Sequence, residues 1–443
     1  MNYVRLLIAT LVSSLLMHCS DGGGTPDAAD APPIPATANP QRGIASTALA
    51  VNADAMSATA TIVLEPSATV GATFEIGDIS IVDVNQTLPS GAAPLLWVDR
   101  GATLDVGVAA ATEPTTLVIR YTFSKHTKFD GYNGTATGAY TLVWPYYCGN
   151  LFPCHSAPAD GTAFSVEVTA PTSGLKVIAP IGVINEAPSY QLAWAVGDYQ
   201  DLEVGTTAAG TRIVTSYLPG ELTKAQQGGA NLVAAFAWME TTLGPYRFGP
   251  QAGTVSVKWG PGAFGGMEHH PRWHVASAAL ADEETNVHEA AHGWYGDGIR
   301  IACWEDFVLS EGTTSYLAGR ALDVVAPTVG AAVWSSYQAD LANIGPMQPV
   351  WPTGCNQIDI IKDGLFSRAP YMRGAFFYRA VAGKVGAAQL DKALGKFYQA
   401  HAGKAAHMSD MLTTIMTETG FDPTSCAQSW LRATTIPAVG PCP

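Results

Sequence analysis

The sequence predicts an α+β chain, with β structure in its first half and a mainly helical second half. Three observations carry this. From about residue 45 to 205, short runs alternate small or apolar residues with polar ones, punctuated by Gly, Pro, Asn and Thr, and helical periodicity is scarce. From about 206 onward, apolar residues recur at helical spacing. Within that second half, His288-Glu289-Ala290-Ala291-His292 sets two histidines four apart, on one face of a helix. With 443 residues, 47% apolar and 14% charged, the chain is globular and long enough for two or three domains with substantial cores.

The chain is expected to divide at 1–19, 20–44, 45–205 and 206–443. Residues 1–19 read as an export signal: Arg5 gives the charged end and Leu6 to Met17 an apolar stretch too short for a stable membrane span. Leu16-Met17-His18-Cys19 resembles a bacterial lipobox, in which Cys19 is lipidated, although His18 stands where a small residue is usual. Residues 20–44, rich in Gly, Ala, Asp and Pro, read as a flexible tether. The expectation is an exported protein, anchored at the bacterial outer membrane or secreted.

Six cysteines remain after Cys19, an even set that suits disulfides in an exported chain. Nearness in sequence favours Cys148–Cys154 and Cys426–Cys442, which leaves Cys303–Cys355; buried free thiols are the alternative.

In the 45–205 segment, Val51 to Leu64, Ile79 to Val84, Thr116 to Phe123 and Ala163 to Val168 are strand-like, and a twisted antiparallel sandwich fits them. In the second segment, Thr223 to Leu243 reads as a helix, Val255 to Trp259 as a short strand and Gly262 to Gly266 as a tight turn. Met267 and Glu268 then fall on an edge strand facing a cleft. A helix starting near Asp282 carries the paired histidines, Phe307 to Val324 carries Glu311, and helices run from Tyr371 to Trp430. There is no internal repeat.

Two neutral imidazoles and a carboxylate form an open zinc site, whose fourth position is left to water. His288 and His292 supply the imidazoles, and Glu311, nineteen residues on, fits a loop and second helix returning a carboxylate. Glu289 can then serve as general base. The bland alternative for the motif alone is an amphipathic helix with solvated histidines.

The block HEAAHGWYGDGIRIACWEDFVLSEGTTSYL resembles the core of the gluzincin aminopeptidases, the family of alanyl and leucyl aminopeptidases and leukotriene hydrolase. Upstream, Gly265-Gly266-Met267-Glu268-His269 is similar to that family's GAMEN strand; downstream, Pro370-Tyr371-Met372-Arg373-Gly374 is similar to its YxKG segment. In the first half, Leu151 to Pro158 resembles FPCFDEP, and Tyr190 to Tyr199 the closing strand of a saddle-shaped N-terminal domain. The resemblance implies a β-sandwich or saddle domain followed by a thermolysin-like, mainly helical catalytic domain with a small edge sheet. The resemblance further implies a short form, expected without the large C-terminal helical domain of full-length members.

The resemblance also implies one Zn2+ ion on His288, His292 and Glu311, and Glu289 as base. Tyr371 becomes the oxyanion donor, where the residue alone reads as a packed aromatic. Gly265, Gly266, Met267 and Glu268 become the substrate strand, with Glu268 on the free α-amine. Asp306 is left with two roles, orienting a ligand histidine or starting a helix. Two positions depart from the family pattern. His269 stands for an Asn, and 141–150 contains neither the Gln nor the Glu usually offered as a second amine ligand. His269, His270 and His274 read as solvated cleft-wall histidines, with a second metal patch as the alternative.

The net charge of −14 argues against nucleic acid. The expected function is a zinc aminopeptidase acting on peptides, as a monomer. The alternatives are an endopeptidase or other zinc hydrolase of the same fold, and a non-enzymatic envelope binding protein.

Overall fold

The computed structural model describes residues 33–442, apart from 136–137, 170–173, 261–264 and 346–347. The export signal, Cys19 and most of the expected tether lie outside the described residues, as does most of the expected turn before Gly265.

The first half is built on a seven-stranded sheet. Its order is Ile184–Ala187, Thr162–Thr169, Ile44–Asn52, Ser57–Leu64, Thr115–Phe123, Ile79–Leu88 and Gly91–Pro94. The pairs are antiparallel except Ile44–Asn52 with Thr162–Thr169, which is parallel. The period-two pattern decides which face is buried: Ala58, Ala60, Ile62 and Leu64 alternate with half-buried neighbours, opposite the buried Tyr121, Ile119, Leu117 and Thr115. A three-stranded and a four-stranded sheet complete this half. The single stretch expected from Val51 to Leu64 is two strands of a hairpin, Ile44–Asn52 and Ser57–Leu64, turning through Ala53 to Met56. The expected closing strand begins as a 3-10 turn, Ser189–Gln191, and becomes strand at Ala195–Gly197.

The second sheet has the order Gln200–Thr206, Arg212–Tyr217, Val255–Val257, His274–Ala276 and Gly266–Met267. It therefore takes its first strand from the end of the 45–205 segment. Gly266–Met267 is its outer strand, antiparallel to His274–Ala276.

The helices are α1 (Leu222–Gly228), α2 (Leu232–Thr242), α3 (Glu283–Ala291), α4 (Phe307–Val325), α5 (Pro327–Ala342), α6 (Arg368–Val385), α7 (Ala387–His401), α8 (Met408–Thr419) and α9 (Thr424–Ala427). The single helix expected over Thr223 to Leu243 is broken into α1 and α2 at Gly228-Gly229, the weakest helix formers in that run. Among the described residues no helix is long and apolar enough to cross a membrane.

Three disulfides form: Cys148–Cys154, Cys303–Cys355 and Cys426–Cys442. A continuous core runs from the first-half sheet through Trp194, Trp273 and Trp294 to α4 and α6, so the two halves pack on each other.

Candidate active site

The site is assembled from one outer strand and three helices. Helix α3 starts at Asp282, whose side chain accepts from Thr285 N at 3.4 Å and Thr285 Oγ1 at 2.7 Å. His288 and His292 close its last turn on one face, ring centroids 4.9 Å apart. Glu311 comes from the second turn of α4, which crosses α3.

The three side chains converge. His288 Nε2 lies 3.2 Å from Glu311 Oε2, His292 Nε2 lies 3.4 Å from it, and the two Nε2 atoms are 3.2 Å apart. Ligand bonds of about 2.0–2.1 Å in a tetrahedron put neighbouring donors roughly 3.3–3.4 Å apart, so these donors have the spacing of three corners of a zinc site. His292 Nδ1 faces the carbonyl of Tyr295 at 3.0 Å, so that nitrogen is the donor, and once the ring is neutral the Nε2 lone pair is the one that faces the cluster. Burial alone would lower the His292 pKa, but Glu311 and then Glu268 raise it to about 10. Burial likewise opposes ionisation of Glu311, yet His292 and His288 hold its carboxyl down at about 2. In the metal-free chain the His292 imidazolium is the positive partner of this carboxylate, and two imidazoles with one carboxylate are the donor set that a divalent cation takes over when it displaces that proton.

Glu289 stands beside this cluster. Its carboxylate packs against Gly266: a Cβ there would come within 2.3 Å of Glu289 Oε1, so any larger residue would make the Glu289 side chain shift. Burial pushes the Glu289 carboxyl well above its ordinary value. Glu268 follows the outer strand and is also buried, its carboxyl raised by burial and then by Glu311, against the pull of the histidines. One donor atom each from Glu268, Glu289 and His292 lie within 4.8 Å of one another.

Tyr371, at the start of α6, stacks on His288 with ring centroids 5.8 Å apart, and its phenol feels the Glu311 carboxylate. Burial, then Glu311, hold its phenol well above the usual value, so it stays a donor. Its position depends on two glycines. A Cβ on Gly312 would lie 2.7 Å from Gly374 Cα, and one on Gly374 would lie 2.4 Å from Gly312 Cα. The backbones of α4 and α6 touch there, which brings Glu311 and Tyr371 together.

These residues line one cleft, a cavity of about 380 Å³ whose walls include Gly265, Gly266, Met267, Glu268, Trp144 and Phe366. Trp144, from the stretch without Gln or Glu, packs on Phe366 at 4.7 Å.

One expectation is narrowed and another corrected. Of the two roles open to Asp306 the helix-start position holds, since it is the residue before α4, but its carboxylate is not on His288 or His292: it accepts from Met408 N at 2.9 Å and Trp351 Nε1 at 3.3 Å and lies 2.7 Å from His407 Nδ1. It ties α8 to the start of α4. His269, His270 and His274 are buried rather than solvated. His270 bridges Tyr246 OH at 2.8 Å and the Glu289 carbonyl at 2.8 Å, while His269 and His274 face each other at 3.2 Å. They are absent from the metal-competent donor groups among the described residues.

Sequence reasoning missed Tyr190 and Asp297, whose hydroxyl and carboxylate meet at 3.3 Å beneath the site. Asp297 carries a signal, a lone acid inside the apolar run Trp294 to Ile299. Tyr190 carries none, because its strand-like surroundings make it one aromatic among many.

Residues 269–430 match the model of the Peptidase family M1 domain. The chain is 24% identical over 291 residues to leucine aminopeptidase 2 of Aspergillus fumigatus, covering 60% of this chain and 46% of that protein. It is 24% identical over 280 residues to leucine aminopeptidase 2-1 of Meyerozyma guilliermondii, covering 56% and 43%. It thus spans less than half the length of these curated relatives. The fold is that of the M1 zinc metallopeptidase from Deinococcus radiodurans, with a TM-score of 0.75 at 20% identity over 91% of this chain and 97% of that one. A mutant of the Deinococcus enzyme has been solved with a Tyr-Ser-Ala substrate. Yeast leukotriene A4 hydrolase superposes with a TM-score of 0.71 at 19% identity, over 89% and 68%.

Proposed function

We propose that this chain, whose residues 269–430 match the Peptidase family M1 domain, is a zinc aminopeptidase that removes N-terminal residues from peptides. The observation that carries the exopeptidase reading is the closeness of Glu268 to the base: carboxylate oxygens of Glu268 and Glu289 lie within 4.8 Å. In a peptide the α-nitrogen lies only about 2.5 Å from its own carbonyl carbon. An amine acceptor this near the base leaves room for one residue between amine and scissile bond. The two raised carboxyls also crowd each other, and an ammonium placed between them relieves that repulsion.

Zinc held by His288, His292 and Glu311 supplies Lewis acidity, polarising a scissile carbonyl and acidifying water. Glu289 takes a proton from the attacking water and passes it to the leaving amine. Tyr371 donates its phenol proton in a hydrogen bond to the oxyanion that forms. Gly266–Met267, the outer strand, offers its free edge to the peptide backbone, and Glu268 fixes the amine.

The reading extends to the termini. The chain is exported and tethered through lipidated Cys19, with the folded part acting as a monomer at the bacterial envelope; the apolar Leu6 to Met17 stretch and the Gly/Ala/Asp-rich segment after Cys19 support this. Mass spectrometry of the mature N-terminus tests it: a diacylated cysteine is expected, and an unmodified terminus elsewhere overturns it.

Turnover of aminoacyl-arylamides beside their N-acetylated counterparts tests the main reading. Free-amine substrates are expected to be cleaved and acetylated ones spared. Equal cleavage points to an endopeptidase, and no cleavage of any peptide by zinc-loaded protein overturns the enzyme.

A further inference from the structure

Besides the cleft, Glu268 borders a small void of about 10 Å³, room for roughly one water-sized group. The void shares Trp144 and Glu268 with the cleft, and Tyr190 and Ser310 complete its polar lining. Tyr190 comes from the 3-10 turn Ser189–Gln191 in the first half and is buried. Its hydroxyl donates to Asp297 Oδ1 at 3.3 Å. A phenol has one proton to give; with that proton on Asp297, the oxygen can only accept from anything else. Asp297 is fully buried, and its Oδ2 has no hydrogen-bond partner among the described residues.

The geometry is fixed from both sides. Gln191 Nε2 donates to the His270 carbonyl at 3.0 Å, and His270 N donates to the Glu268 carbonyl at 2.6 Å. The turn bearing Tyr190 is therefore keyed to the turn bearing Glu268. The void lies between an acceptor-only carboxylate and a phenol oxygen whose proton points elsewhere, against the indole of Trp144. A compact cation with several N–H donors complements it; a neutral acyl amide, which has one donor and a carbonyl, does not.

We propose that Tyr190, its proton held by Asp297, is a specificity-determining residue that accepts a second hydrogen bond from the substrate α-ammonium, beside Glu268 and against the apolar wall of Trp144. This rests on the aminopeptidase reading. It also answers the departure at 141–150: the first half contributes its amine acceptor from residue 190 instead.

The test is calorimetric titration of zinc-loaded Glu289→Gln protein, in which turnover is blocked, with leucinamide and with its des-amino analogue 4-methylpentanamide. The parent is expected to bind leucinamide at least tenfold tighter. Adding Tyr190→Phe, which keeps the ring, is expected to cut that ratio by about tenfold, with 4-methylpentanamide affinity changed less than twofold. Adding Asp297→Asn, which keeps the phenol but can offer it an N–H, is expected to cut the ratio as well. This second variant decides the matter if the phenylalanine form does not fold. If the folded variants keep the parental ratio, or weaken both ligands equally, Tyr190 is only a packed aromatic and the proposal is overturned while the aminopeptidase stands. If the parent itself does not distinguish the two ligands, the aminopeptidase reading falls and takes the proposal with it.

Discussion

At the scale of the residue, Glu289 is the most exposed to test, because burial and neighbouring carboxylates set its chemistry rather than its packing. Glu289→Gln keeps the shape against Gly266 but removes the proton acceptor. We expect kcat to fall by about a thousandfold while bound zinc stays near one ion per chain, as read by turnover beside metal analysis. Tyr371→Phe should keep the stacking on His288 and lose the oxyanion donor. The expected result is a fall of about a hundredfold or more in kcat with a smaller change in KM, since the donor acts on charge that appears only in the transition state. A loss confined to KM would place Tyr371 in ground-state binding instead.

At the scale of the element, the contact of α4 with α6 is where sequence becomes geometry. Gly312→Ala must push the helices apart, because its Cβ would lie 2.7 Å from Gly374 Cα and 3.0 Å from Val308 Cγ2. The expected cost is roughly 1–3 kcal/mol of stability. A drop of ten- to a hundredfold in kcat/KM should accompany it, because Glu311 and Tyr371 ride on the two helices that separate. Thermal melting and steady-state kinetics on one preparation check both. The segment 268–276 makes a pH prediction. Burial lowers His270 and His274 to about 3, so both stay neutral in the folded chain at pH values where free histidine is charged. The unfolded chain then binds more protons, so stability rises with pH and is lost as pH falls from about 6.5 toward 3. Each histidine contributes up to about 1.4 kcal/mol per pH unit in that window. Melting temperature should fall on acidification, and His274→Gln should flatten the slope. The period-two and 3.6-residue patterns made the β half, α3, α4 and the 288/292/311 triad legible, because those features depend on spacing along the chain. The division of α1 from α2, the burial of His269, His270 and His274, and the job of Asp306 were not. Each depends on what packs across from it: Asp306 is claimed by Met408, a residue far away in sequence.

At the scale of the whole molecule, both halves reach the site. Trp144 and Tyr190 approach from the first half, His288, Glu289, His292 and Glu311 from the second, so the cleft is complete only with the two halves packed together. Zinc binding should therefore report on global stability, because its donors span α3 and α4, while α6 touches α4 beside them. A ligand held a thousandfold above its dissociation constant adds about 4 kcal/mol to the folded state. Chelation should lower the melting temperature by several degrees, and added zinc should restore it. The chain is expected to stay folded without the ion, because in the absence of metal Glu311 pairs with the two histidines and the core does not depend on them. Glu311→Gln supplies the control, since it keeps the volume and removes the anionic donor. In that variant the chelation shift should nearly vanish. An undiminished shift would put the stabilising ion somewhere other than His288, His292 and Glu311, and the chemistry assigned to Glu289 would then have no metal beside it.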